Sequence, residues 1–305
     1  MPAPRVRGVG LFTGWDEAPA VPLPAPDRPP PLLPVATPAL AGERFRRATR
    51  ECLLGVAAAR AAVTDAGLAE GALAGARTGV LYVSATAYAA ANRAFLEDER
   101  AATLHFPYTA PSAVPGEVTI EFGIRGPYVS LMGGGPAALQ GLWYAAQWLA
   151  GGAADRVLVL AVETVQEVRD LFGRARRLYS GPLVEGAACL VLEPGDGTPL
   201  RWASAVTSRP GTEAVVRRVL DAVLQGRVPR VVGRASGAHA AGRAERAALA
   251  RRGAAGAPVV GSGPGEAMAC GPLMGLAAAR ARGEGGPCLV TAAWRNDYAA
   301  MLWPL

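Results

Sequence analysis

Two histidines, four cysteines and a handful of serines are the side chains of this 305-residue chain that could act as nucleophile or base. Cys270 stands at the start of a helical pattern, and a helix N-terminus can lower a thiol pKa. Its neighbours Ala269 and Pro272 offer it no base. Ser236 with His239 is the other candidate pair for nucleophilic chemistry. His239 reads first as an exposed loop residue and second as a hydrogen-bond donor near Ser236. His105 sits beside Phe106 and Tyr108 and reads as a pocket wall or a surface residue. All 31 basic residues are arginine. The absence of lysine excludes a Schiff base, a pyridoxal-phosphate lysine and a Walker lysine within this sequence.

The place where an α/β enzyme often sets its nucleophile is present without one. Gly126-Pro127 introduces the short apolar run Tyr128–Met132, and the glycine turn Gly133-Gly134-Gly135 leads into Pro136. Proline suits the first helical position because its missing N–H is not needed there. Leu139, Leu142, Trp143, Ala146 and Leu149 then recur at helical spacing, and Gly151-Gly152 ends the helix. Arg156–Val162 follows as a buried parallel strand. A strand-to-helix elbow offers free N–H groups and a partial positive charge, and Gly135 has no side chain to exploit them.

The remaining elements supply the frame. Strands are expected at Val6–Phe12, Gly79–Ser84 and Ala187–Glu193. Helices are expected at Phe45–Gly67, Thr86–Glu97 and Pro111–Phe122. Trp15–Pro38 is proline-rich and reads as an irregular excursion. The later chain repeats the alternation: strand Trp202–Val206, helix Thr212–Leu224, strand Pro229–Gly233, helix Ala241–Arg251, strand Pro258–Gly261, helix Ala267–Ala279. Strands Cys288–Ala292 and Tyr298–Trp303 close it. This order predicts an α/β fold of two pseudo-symmetric βα halves, residues 1–195 and a shorter 196–305.

Composition removes several function classes. Hydrophobic residues make up 51% of the chain, too many for disorder. Arg, Gly or Asp interrupts every apolar run before membrane-span length, and no signal core opens the sequence, so a cytoplasmic location is expected. Cys52, Cys189, Cys270 and Cys288 are widely spaced in apolar segments, as small core residues would be. The net charge of +6 comes from dispersed arginines. The densest group, Arg169–Arg177, contains Asp170 and reads as a solvated face. Nucleic acid would favour a longer basic stripe with aromatic residues.

Five segments in order resemble the β-ketoacyl synthase family of the thiolase fold. They are Ala57–Leu68, Arg77–Val80, Phe122–Pro127, Gly152–Asp155 and, most specifically, Glu185-Gly186-Ala187-Ala188-Cys189-Leu190-Val191-Leu192-Glu193-Pro194. The resemblance implies a thiolase-like layered αβαβα unit. It also places the family's catalytic residues on positions that cannot perform its reaction. The nucleophilic cysteine falls on Gly135. The first histidine falls on Ser236 or, ungapped, on Arg234. The lysine and second histidine fall on Gly263 and Met268, and Ala293-Trp294-Arg295-Asn296 replaces the C-terminal glycine-rich loop. Decarboxylative condensation needs a thiolate and donors for an enolate oxyanion.

The family kind that fits is the chain length factor of type II polyketide synthases. The resemblance then implies no catalysis, no cofactor and no metal. It implies a heterodimer with a catalytic ketosynthase subunit, and an acyl carrier protein bearing the growing chain. The partner interface is expected on Tyr128, Val129, Ser130, Leu131 and Met132. The chain tunnel is expected near Tyr88, Phe95, Phe106 and Tyr108. Two other readings stay open: a diverged thiolase-fold enzyme with a different nucleophile, and a homodimeric acyl- or carrier-protein-binding module.

Overall fold

The computed structural model describes residues 4–14, 32–97, 106–172, 182–195, 199–206, 212–234, 239–254, 257, 259–260, 265–283 and 286–304. Strand β1 (Arg5–Thr13) pairs antiparallel with β7 (Gly186–Glu193), and β7 pairs antiparallel with β5 (Arg156–Glu163). Strand β3 (Thr78–Ser84) lies parallel to β5 on one side and to β4 (Tyr128–Met132) on the other. The first sheet therefore runs β1-β7-β5-β3-β4. β5 and β7 are apolar nearly end to end because both their faces are covered.

The second sheet reproduces this pattern. Its order is β8 (Arg201–Val206), β12 (Asp297–Pro304), β11 (Pro287–Trp294), β9 (Val231–Arg234) and β10 (Val259–Val260). From β8 inward the first two pairings are antiparallel and the last two parallel, as they are from β1 inward. A further short parallel pair joins β2 (Leu32–Leu33) to β6 (Leu183–Val184).

Helices fill the layers between and outside the sheets. α1 (Arg50–Asp65) packs on β1, β7 and β5 from outside and meets α3 (Ala113–Phe122). α2 (Ala89–Glu97) contacts the short 3-10 turn Phe106–Tyr108. α4 (Gly135–Ala150) lies between the sheets, touching β3, β4 and β5 on one side and β8, β11 and β12 on the other. The short α5 (Arg169–Phe172) follows β5. α6 (Thr212–Leu224) and α7 (His239–Ala250) pack together on the outer side of the second sheet. α8 (Cys270–Ala281) joins α4 in the middle layer, against β9 and β11 and against β5 and β7. The result is the layered αβαβα arrangement of the thiolase fold.

Three expected helices start three or more residues later than the sequence pattern suggests, each for a tertiary reason. The expected helix from Phe45 is split: Glu43–Arg47 is a 3-10 turn, and Ala48 is extended at φ −64, ψ 139 before α1. Phe45 is buried there, with the Arg44 guanidinium 4.3 Å and that of Arg60 5.5 Å from its ring centroid. α2 begins at Ala89 because the Thr86 N–H and hydroxyl both donate to Glu163. α8 begins at Cys270 because Glu266 is bridged to Leu183 and Met268 takes φ +48, a backbone state no helix contains.

Candidate functional site

The elbow forms as its glycines and proline predict. The Gly133 N–H donates to Ser84 O at 2.9 Å, and α4 starts at Gly135 with Pro136 in its first turn. No side chain caps the helix. What surrounds Gly135 decides its chemistry. A Cβ there would stand 2.7 Å from Ala292 Cβ, and 3.4 Å from both Met268 O and Pro272 Cγ. A Cβ on Gly134 would stand 2.6–2.8 Å from three ring atoms of Trp294. Strand β11, the turn before α8 and α8 itself thus close directly over the helix start.

An apolar plug occupies the adjoining space. Met268, Val165 and Leu183 are buried together, with Leu32, Ala85 and Trp294 packed against them. Met268, expected at a catalytic histidine position, is therefore a core side chain. Gly263, Ser236 and His105 lie outside the described residues. His239 opens α7. Cys270, the alternative nucleophile, is fully buried and its Sγ donates to Gly186 O at 3.4 Å. Burial, then the charge of Glu163, holds its thiol pKa well above the ordinary value, so the helix start does not activate it. All four cysteines are buried.

Sequence reasoning missed the carboxylates around the plug. Glu163 ends β5 with its side chain buried. Its Oε1 accepts from the Ala85 N–H at 2.8 Å and the Ala269 N–H at 3.1 Å. Its Oε2 accepts from the Thr86 N–H at 3.0 Å, the Thr86 hydroxyl at 2.6 Å and the Ser84 hydroxyl at 3.4 Å. Burial raises its pKa to about 7 against these hydrogen bonds, which favour the ionised form. The available signal was an acid closing an otherwise apolar strand.

Glu185 belongs to the best-matched motif, where no role was read for it. Its fully covered carboxylate meets both terminal nitrogens of Arg50. It also accepts from the Val165 and Gln166 N–H groups, each at 2.8 Å. Burial acts to raise its pKa, but the Arg50 hydrogen bond and charge and these amides outweigh it and leave it lowered. Glu266 is buried as well and accepts from the Met268 N–H at 2.7 Å. These carboxylates bind backbone amides and a guanidinium, so they hold loops in place.

Outside the plug, a cleft of about 490 Å³ lies between the elbow and strand β8 at the edge of the second sheet. Met132 and Gln140 line one side, Trp202 and Ser204 of β8 another, and Trp294 with Arg295 its end. The Trp202 ring stacks on Trp143 of α4 with centroids 5.3 Å apart. Strand β4, the expected interface, is an outer strand of its sheet, with Tyr128 42% and Met132 43% exposed and Val129, Ser130 and Leu131 half-buried. The four expected tunnel residues lie elsewhere. Phe95 and Phe106 meet with centroids 6.0 Å apart, Phe106 is 64% exposed, and Tyr88 is half-buried. Tyr108 borders a groove lined by Glu43, Arg44, Arg46 and Arg47. None of the four lines the cleft at the elbow.

Among the described residues, no group of three or more His, Cys, Asp or Glu is placed to hold a metal ion, and no helix is long and apolar enough to cross a membrane.

Residues 37–182 match the family model of the β-ketoacyl synthase N-terminal domain. A curated relative, the granaticin polyketide putative β-ketoacyl synthase 1 of Streptomyces violaceoruber, is 30% identical over 190 residues. That stretch covers 52% of this chain and 45% of the relative, so the match spans less than half of the relative's length. Solved structures share the fold throughout. The ishigamide ketosynthase/chain length factor aligns with a TM-score of 0.78 at 20% identity, over 99% of each chain. A type II PKS acyl-carrier protein in complex with its ketosynthase bound to the hexaketide aligns with a TM-score of 0.78 at 13% identity, over 100% of this chain and 99% of that one. A β-ketoacyl synthase from Burkholderia phymatum aligns with a TM-score of 0.74 at 18% identity, over 100% of each.

Proposed function

We propose, from a chain whose residues 37–182 match the family model of the β-ketoacyl synthase N-terminal domain, that this protein is a non-catalytic ketosynthase-like subunit. It pairs with an active ketosynthase, and the two together enclose a growing polyketide chain delivered by an acyl carrier protein. One observation carries this reading. The elbow holds Gly135, and a side chain there would overlap the Ala292 Cβ, with Met268 O and Pro272 Cγ already at contact distance. Acyl transfer by a synthase requires a thiolate there and donors for the developing oxyanion. An apolar plug supplies neither.

The free side of β4 supports pairing. An outer strand with exposed Tyr128 and Met132 is an aggregation hazard unless something covers it. The interface belongs in the obligate class, about 2,000 Å² or more. Among the structural relatives, one is a ketosynthase/chain length factor and another is a ketosynthase complexed with its acyl-carrier protein. The buried, protonated thiol of Cys270 weighs against the reading as an enzyme with a different nucleophile.

The test is co-expression of the tagged chain with a catalytic type II ketosynthase subunit. A one-to-one complex is expected, with polydisperse material when the chain is made alone and no condensation of malonyl and acyl thioesters by it. A well-behaved monomer indifferent to the ketosynthase, or turnover by the chain alone, overturns the reading. A stable homodimer points to the binding-module alternative.

A further inference from the structure

We propose that the outer face made by α6 and α7 docks a second protein through an acidic helix. This face covers the side of the second sheet turned away from the middle layer. It is separate from the elbow and from the free edge of β4, so it stands or falls independently of the pairing proposed above.

The arginines read as dispersed along the sequence, but their excess is not. Residues 212–254 carry nine arginines against three acids, and this one stretch accounts for the whole formal charge of +6. The rest of the chain is balanced. The fold gathers the stretch into one layer: α6 and α7 pack together and turn Val216, Val219, Leu220, Ala244 and Ala248 onto the core. Of the three acids, Glu245 is buried and accepts from the Tyr298 hydroxyl at 2.9 Å. Arg251 takes Glu213 at 2.8 Å and Arg252 takes Asp221, so both pairs reach from the end of α7 to α6. Arg252 also donates to Arg217 O at 3.5 Å, which sets that end beside Arg217 and Arg218. Arg217, Arg218, Arg243 and Arg246 are exposed and have no ion pair among the described residues.

A positive layer on a balanced body steers an anionic partner onto one face. Guanidinium forks meet carboxylates through two parallel hydrogen bonds. Arg93 does this within the chain, with the two oxygens of Asp170 at 3.0 and 2.9 Å. Arg243 and Arg246 stand three residues apart on α7, a spacing that makes side chains neighbours on a helix surface. A facing helix with carboxylates one turn apart presents the complementary spacing. Nucleic acid fits this face less well. Residues 212–254 contain no Phe, Trp or Tyr on which a base could stack, and Glu213 and Asp221 stand among the arginines. A bilayer also fits less well. Both helices turn their apolar residues to the sheet, and the exposed face offers no Trp, Phe or Leu to insert.

The test uses the full chain, in the ketosynthase complex if that is how it purifies. The probes are two fluorescent helical peptides of identical composition. One carries glutamates one turn apart along a single face, and the other has them spread around the helix. A DNA duplex and vesicles of phosphatidylcholine with phosphatidylglycerol complete the set. We expect saturable binding of the first peptide, weakening as salt rises, and weaker binding of the second. Arg218→Glu and Arg246→Glu should each weaken the first peptide by about five-fold, the upper scale of one exposed ion pair. Arg47→Glu makes the same change of net charge at an exposed arginine of the first half and should leave the affinity unchanged. Absence of saturable binding overturns the assignment, as does equal affinity for the two peptides or an equal loss in Arg47→Glu. Tighter binding of the DNA or of the vesicles overturns it as well, and gives the face to a polyanion or a lipid surface instead.

Discussion

The indole of Trp294 lies on Gly134, with three of its ring atoms 2.6–2.8 Å from the point a Cβ would occupy. The contact fastens the β11–β12 hairpin to the start of α4, and it tolerates no side chain at position 134. Gly134→Ala is therefore expected to destabilise the protein by about 1–3 kcal/mol through overpacking. Trp294→Ala should relieve part of that penalty in the double variant, because contacting residues couple. Urea unfolding of the four proteins in the cycle measures this, and additive effects would contradict the contact.

The pH dependence of stability should carry a component from Glu163. Its folded pKa of about 7 lies above the ordinary 4.5. Between these values the folded state holds a proton that the unfolded state has released. This contribution to stability is present at low pH and is lost as pH rises through the window, by up to about 1.4 kcal/mol per pH unit. Glu163→Gln removes the titration. The difference in unfolding free energy between wild type and variant should shrink from pH 5 to pH 7 and then level off. A difference independent of pH would show that the hydrogen bonds to Glu163 outweigh its burial.

Arg50 and Glu185 act in the other direction. The lowered carboxylate pKa means a stabilising contribution that is full above the ordinary value of 4.5 and lost as pH falls through the folded value. Arg50→Met leaves a covered carboxylate without its cation, at a cost of about 3–5 kcal/mol. The acid-unfolding midpoint should move to higher pH in the variant. Circular dichroism across an acid titration reads both effects.

If the aromatic residues near α2 measure the chain, alanine at Tyr88, Phe95, Phe106 or Tyr108 should lengthen the product made with the ketosynthase. Phe106 is largely exposed, so its variant should stay folded and give the cleanest result. Mass spectrometry of the products decides. Wild-type length from every folded variant would remove these four from the tunnel.

The strands and the elbow were legible because their signals are local. Gly126-Pro127 turns the chain, an apolar run follows, and Pro136 fixes the helix start; each depends on its immediate neighbours. The break at Ala48 was not legible, because it depends on Phe45 finding a buried site and on Arg44 reaching the acids of α3. Glu163 was overlooked for a similar reason: its donors come from β3 and from the residue before α8, far away in sequence. The absence of a nucleophilic side chain at Gly135 could be read from residue types alone. The filling of that space could not, because nothing local in the sequence says that Ala292 and Met268 meet there.

The helices of the middle layer belong to neither sheet alone. α4 rests on three strands of each sheet, and α8 likewise touches both. A fragment ending near residue 195 would keep α4 and lose everything on its far side, exposing Leu139, Leu142 and Ala146 to water. The repeated strand order thus looks divisible on paper, yet each half finishes the other's interior. The working unit of folding is the pair.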